Sequence, residues 1–311
     1  MSHSVETMAY SGQVPWHGLG VQVEDNLNVD EMLKAAKLDW SVSKHSMFFN
    51  VNGDYNGVYL DVDNSKALVR DSDNAVLSIV SDDWEPCQND EAFSIFEPFV
   101  EDGTLKLETA GSLKGGQIVW GLAKLDNKFD VFKGDVIEQY LLLINPHKFH
   151  QSIQMRSTSV RVVCNNTLDV ALNSASKLQI TQNHKNAFSY DMFHDVLLET
   201  KELMVTYKEA AEFLGSKRYT AAKVTDYFED VFASKFKNSR NVVSANELLE
   251  TQPGHEFAKG SWWQAFNAIT YMSDHQQTND REAKLHSSWF GVNKTRKTKA
   301  LSLALNYAEA A

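Results

Sequence analysis

The feature that most constrains this chain is a change of hydrophobic period near Asn186. Upstream, apolar and polar residues alternate in short runs; downstream, apolar residues recur at helical spacing. Leu38–Val51 alternates and ends in the turn sequence Asn52-Gly53-Asp54, and Gly57–Val62, Lys66–Arg70 and Ala75–Ser81 read as further strands separated by Asp, Asn and Ser. Asn89–Glu101 carries Phe93, Phe96 and Val100 on one helical stripe, with Asn89 placed to cap it. Thr104–Thr109, Gln117–Leu125, Asp135–Ile144 and Ser152–Cys164 are strand-like, and a helix is expected from about Asn166 to Ser176. Beyond Asn186, the segments Phe188–Leu214, Ala221–Phe236, Ala245–Glu250, Trp262–Gln276 and Lys294–Ala310 read as helices. Strands followed by helices, without regular alternation, predict an α+β fold. Its N-terminal half is antiparallel and β-rich, with a strand-strand-strand-helix core, and its C-terminal half is helical. The expected division is 1–185 and 186–311.

Charge is distributed unevenly. Residues 1–110 hold 20 Asp plus Glu against 6 Lys plus Arg, a balance of −14, while the remainder holds 21 against 24, a balance of +3. A net charge of −11 argues against a polyanion partner for the whole surface, but the local field in the second part does not. There Lys148, Arg156, Arg161, Lys177 and Lys185 face one nearby acid, Asp169, and a second cluster comprises Lys294, Arg296, Lys297 and Lys299. No apolar run approaches the roughly 18–20 residues of a membrane span. The first residues have neither the basic start nor the apolar stretch of a secretory signal, so a cytoplasmic location is expected. Cys87 and Cys164 are too few for a disulfide framework or a cysteine zinc site, and a buried free thiol is the expectation for Cys164.

The segment Met155–Leu172 concentrates candidate chemistry. Val160, Val162 and Val163 give a strand its apolar side, while Arg156, Ser157, Thr158 and Arg161 add cations and hydroxyls. Asn165 and Asn166 are suited to cap a helix starting near Thr167, which would bring arginines and unsatisfied N–H groups to one anion-binding region. The plainer alternative is that the arginines pair with the protein's own carboxylates and the asparagines only cap. Gly111–Gly116 lacks the order of a phosphate loop and reads as a hairpin turn. His147 and His150 have ligand-like spacing but no completing Cys or carboxylate, so no metal and no cofactor is expected. Trp16-His17-Gly18 reads as an aromatic anchor for the N-terminal arm, with covering a pocket or stacking on a base as the alternative. Asn267, Tyr271 and Asp274 share a helical stripe that either lines a cleft or faces solvent. Cations in the first turns of the last helix oppose its dipole and call for a compensating anion: the acidic half, a neighbouring subunit, or phosphate.

PWHGLG at Pro15–Gly20, LDW at Leu38–Trp40, ETAGSLKGGQIVWGLAKL at Glu108–Leu125, RVVCNNTL at Arg161–Leu168, NAITYMSDH at Asn267–His275 and WFG followed by KTKAL at Trp289–Leu301 span nearly the whole chain. In this order they resemble the phage/plasmid-like proteins of bacterial viruses and mobile elements. The resemblance implies an accessory protein of a phage or plasmid and names no reaction. One departure stands out: the family's His-Asp-Gly after the long apolar strand is here His147-Lys148-Phe149.

The leading expectation is a single-stranded nucleic-acid binding protein, with strand annealing in recombination or replication. The order of elements at Gln117–Leu172 resembles the core of phage annealing proteins. Lys148, Arg156, Arg161, Asn165, Asn166, Lys294, Arg296 and Lys297 are the expected contacts, with Tyr140, Phe149 and Trp120 interleaved for base stacking. The expected partners are single-stranded DNA and further copies of the chain, the acidic half of one meeting the last helix of the next. Two other classes stay open. In an enzyme acting on a nucleotide, Arg156, Arg161 and Asn165 would hold phosphate and His147 or His17 would move protons. An inhibitor or recruiter of a host protein would act through the acidic half.

Overall fold

The computed structural model of the chain describes residues 5–12, 20–51, 53, 57–161, 166–168, 179–186, 188–234, 239–276 and 292–311. It is α+β, and two compact units divide it. The first comprises residues 1–124, 142–156 and 180–194; the second comprises 125–141, 157–179 and 195–311. The division falls inside three long strands, β7 (Ile118–Phe132), β8 (Asp135–Pro146) and β9 (Ile153–Arg161).

The first unit opens with β1 (Val5–Tyr10), β2 (Val21–Gln22) and α1 (Val29–Ala35), then β3 (Val42–Asn50), β4 (Tyr59–Arg70) and β5 (Ala75–Ser81). Two short helices, α2 (Asn89–Phe93) and α3 (Glu97–Glu101), precede β6 (Leu105–Leu113). Helix α1, too short to show a period, is fixed by a capping box: Glu31 N–H donates to the Asn28 side chain at 2.9 Å, and Asn28 N–H donates back to Glu31 at 3.0 Å. Strands β3, β4 and β5 form a 3-stranded antiparallel sheet. The break expected between Gly57–Val62 and Lys66–Arg70 is absent. The register instead jumps from Ser46↔Lys66 to Phe48↔Asp61, and the surplus is taken up in a bulge where Asn64 sits at φ 57°.

The helix expected over Asn89–Glu101 is split, since α2 passes into a 3-10 turn at Ser94–Phe96 before α3 restarts with Pro98 in its first turn. Gln88 occupies the cap position; Asn89 is buried and its Nδ2 donates to the Leu38 carbonyl at 2.9 Å. Between β6 and β7 the chain reverses through Lys114, Gly115 and Gly116 at φ 55°, 65° and 84°, the hairpin expected from the paired glycines. Below it, Trp120 is wholly buried against Gly111. A Cβ there would lie 2.4 Å from the indole ring and 2.5 Å from the Thr7 carbonyl, so only glycine fits.

The 8-stranded sheet runs β10-β9-β8-β7-β6-β1-β2, with β10 (Asn166–Leu168) at one end and β11 (Gln179–Gln182) also paired to β9. The helix expected to begin near Thr167 does not begin there. Asn166, Thr167 and Leu168 instead pair antiparallel with Arg161, Val160 and Ser159, so this segment is a strand. The remainder of that expected helix, 169–176, lies outside the described residues.

In the second unit follow α4 (Tyr190–Ser216), α5 (Ala221–Phe232), α6 (Arg240–Thr251), α7 (Trp262–Tyr271) with a π turn at Met272–Gln276, and α8 (Val292–Glu309). Their shared core holds Tyr207, Tyr227, Phe228, Trp262, Trp263 and Phe266. Helix α7 is buried on every side from Trp262 to Thr270, so Asn267 and Asp274 form neither an exposed face nor an open cleft. Two interior polar groups of α7 are bonded inside the unit: Asn267 Nδ2 donates to the Trp263 carbonyl at 2.8 Å and Trp263 Nε1 to Asp135 at 2.9 Å. No helix among the described residues is long and apolar enough to cross a membrane.

Candidate nucleic-acid interface

In the first unit the hairpin turn brings Lys114 close to Lys148, which follows β8. Burial pushes the Lys114 pKa down and the Lys148 charge pushes it further the same way, the sign of two ammonium groups sharing a small region. Lys148 is half-buried, and no carboxylate among the described residues lies within ion-pair distance of it. Beside it Phe149 is exposed, its N–H bonded to Ser78 Oγ at 3.1 Å and its ring 4.0 Å from that of His150. His150 itself sits at φ 62° with its side chain exposed. Cations and exposed rings therefore share one patch. Lys114 was not among the expected contacts, because a lysine in a turn carries no signal until the turn is placed against the end of β8.

Arg156 is a correction. It is only 4% exposed, an interior group of β9 that cannot meet a phosphate from solvent. Trp120 and Tyr140, expected to stack on bases, are core residues at 0% and 5% exposure.

Directly behind Lys148 lies a buried polar cluster built on Trp84–Asn89. Asn145 Nδ2 donates to the Cys87 carbonyl at 2.9 Å, and His147 Nε2 lies 2.9 Å from Asn89 Oδ1. Because Asn89 Nδ2 faces the Leu38 carbonyl, its oxygen faces the histidine, which places the proton on His147 Nε2. His184 Nδ1 donates to the Glu85 carbonyl at 3.1 Å, and its ring stacks on Trp84 with centroids 4.0 Å apart. Burial pulls the His147 pKa down to about 3, with His184 adding to the effect. Burial likewise pulls His184 down to about 4 against the raising influence of the Glu85 carbonyl. Neutral and enclosed, His147 does not reach a substrate and cannot carry protons to one. Cys87 lies in the same cluster, its thiol pushed far up by burial and then by Glu91. His17, Cys164 and Asn165 lie outside the described residues.

In the second unit the register sets Arg161 opposite Asn166 across β9 and β10; their side chains lie outside the described residues. On α8 the basic residues separate by depth. Lys297 is fully buried and pairs with Asp274 of the π turn at 3.0 Å, so it too leaves the list of phosphate contacts. For Lys297 the compensating anion is Asp274, from the same helical part of the chain. Arg296 is half-buried, lies over the Phe232 ring at 5.5 Å and donates to Asn293 at 2.8 Å. No carboxylate among the described residues pairs with it, and burial lowers its pKa. Lys294 is half-buried, while Lys299 is exposed and bonds to the Asp230 carbonyl. Among the described residues no group of three or more His, Cys, Asp and Glu is arranged to hold a metal ion.

Residues 76–308 match the family described as Domain of unknown function (DUF932), and the chain belongs to that family. Comparison with curated proteins and with solved structures finds no match.

Proposed function

We propose that this protein binds single-stranded nucleic acid in the cytoplasm of a bacterial host, as an accessory protein of a phage or plasmid. The observation that carries the reading is the patch of Lys114, Lys148, Phe149 and His150, where two cations adjoin a pair of exposed aromatic rings. Ammonium groups hold phosphates of any sequence, and an exposed ring stacks on a base only where the strand is unpaired. Arg296 with Lys294 forms a second cationic spot in the other unit, where a half-buried guanidinium has no acidic partner among the described residues.

Fluorescence anisotropy with single-stranded and duplex oligonucleotides at two salt concentrations tests this. Single strands should bind more tightly, with log affinity falling by about 0.7 per neutralised phosphate for each decade of salt. Lys114→Glu with Lys148→Glu should weaken binding at least tenfold, and Phe149→Ser should remove about 1–3 kcal/mol of stacking. Equal affinity in the folded double variant, or absence of binding by the wild type, overturns the proposal.

A further inference from the structure

At the end of the 8-stranded sheet in the first unit, β2 and the turn after it face α1 across a groove of about 680 Å³. Val23, Leu27 and Ala35 make its lining mainly apolar, and Glu24, Glu31 and Lys34 stand with them. The volume lies within the roughly 300–1,000 Å³ of ligand sites, but the groove is wide open to solvent, a form that suits a chain segment laid across it better than an enclosed small molecule. Beside it, β2 is the last strand of its sheet. Val23 N–H donates to the Tyr10 carbonyl at 2.9 Å, so Val21 and Val23 turn their main chain to β1, and Gln22 between them turns its N–H and C=O outward. An outward main-chain donor and acceptor is what an added strand pairs with. Residues 21–35 hold Glu24, Asp25, Asp30 and Glu31 against Lys34. All four carboxylates are exposed, and none meets a cation within ion-pair distance among the described residues. Other acids of this unit do: Asp73 pairs with Arg70, Asp82 with Lys66, Asp83 with Lys185 and Glu85 with Lys44.

We propose that this groove docks an extended, cationic segment of a partner protein alongside β2. An apolar side chain of the segment sits on Val23, Leu27 and Ala35, and a lysine or arginine on either side of it faces the unpaired carboxylates. Side chains two apart on an extended segment share a face, so the recognised pattern is cation, any residue, apolar residue, any residue, cation. Four acids against one lysine repel phosphate and attract a cationic chain, which sets this surface apart from the Lys114 and Lys148 patch. The inference is independent of the nucleic-acid reading.

A fluorescein-labelled peptide of pattern Lys-Thr-Leu-Thr-Lys, flanked by serines, tests this by anisotropy on the full chain. It should bind in the micromolar range and more weakly as salt rises. Exchanging both lysines for glutamate, or the leucine for serine, should each weaken binding at least tenfold. N-methylation of alternate amides should weaken it in one of the two frames only, since an added strand turns every second N–H to β2. On the protein, Glu24→Gln with Glu31→Gln should weaken binding at least tenfold and remove most of its salt dependence; glutamine still completes the capping box, so circular dichroism should be unchanged. Ala35→Arg, in the last turn of α1 where a cation is favoured, should abolish binding with the fold retained. No binding by the wild type, equal binding of the glutamate or serine peptide, equal effects of the two N-methyl frames, or equal affinity in either folded variant overturns the proposal. So does loss of oligonucleotide affinity or of a wild-type assembly in these variants, which would give the groove to nucleic acid or to a second copy.

Discussion

Acidification should destabilise the protein between pH 7.5 and 5, and two histidines set the size of the effect. His147 and His184 are 0% and 3% exposed, and their pKa values fall from 6.5 to about 3 and about 4 in the fold. The folded pKa is depressed for a base, so the unfolded chain binds more protons throughout this window and stability must fall as pH falls through 6.5. At pH 5 each unfolded imidazole gains about 2 kcal/mol from protonation that its folded counterpart cannot take up, or about 4 kcal/mol for the pair. Against a typical stability of about 5–15 kcal/mol this is a large fraction. With a urea slope of about 2–3 kcal/mol/M the midpoint should drop by about 1.5 M. Tryptophan fluorescence reads it directly, because Trp84 stacks on His184 and Trp40 lies 5.2 Å from His147. Asp71, Asp73 and Asp83, held down mainly by hydrogen bonds to Ser41, Arg70 and Lys185 respectively, lose their contributions at lower pH, outside this window. A midpoint unchanged from pH 7.5 to 5, or a folded His147→Gln/His184→Gln variant keeping the full slope, would refute the reasoning.

Gly111→Ala should cost at least about 2 kcal/mol, since the new methyl meets both the Trp120 ring and the Thr7 carbonyl; an unchanged thermal melt would show that β1 and β6 can separate to admit it. Lys297→Met alone should cost about 3 kcal/mol by removing the ammonium that faces the buried Asp274 carboxylate, and Lys297→Met with Asp274→Leu should recover most of that loss, measured by urea denaturation. Arg156→Glu should lower the melting temperature by several degrees because it buries an added negative charge, whereas Lys148→Glu should leave the melt unchanged and weaken oligonucleotide binding. A melt that separates the two variants in the opposite sense would reverse their assignment to interior and surface.

Local pattern determined much of this protein. The period change at Asn186 placed the helical part, and Ala75–Ser81 is β5 as read. The glycine pair at 115–116 forms the hairpin because positive φ is a property of the residue itself. Tertiary structure decided what local pattern leaves open. The alternation in β9 looks the same whether Arg156 faces solvent or interior, and helical spacing cannot tell that Lys297 turns inward until the π turn carries Asp274 to it. Asn166 serves a strand because β9 offers it a partner, a long-range pairing that no capping preference can weigh. Sequence lists charges and rings, but burial and ion pairing depend on which distant segments meet. The contact of Lys114 with the field of Lys148, 34 positions along the chain, exists only once β6, β7 and β8 lie side by side.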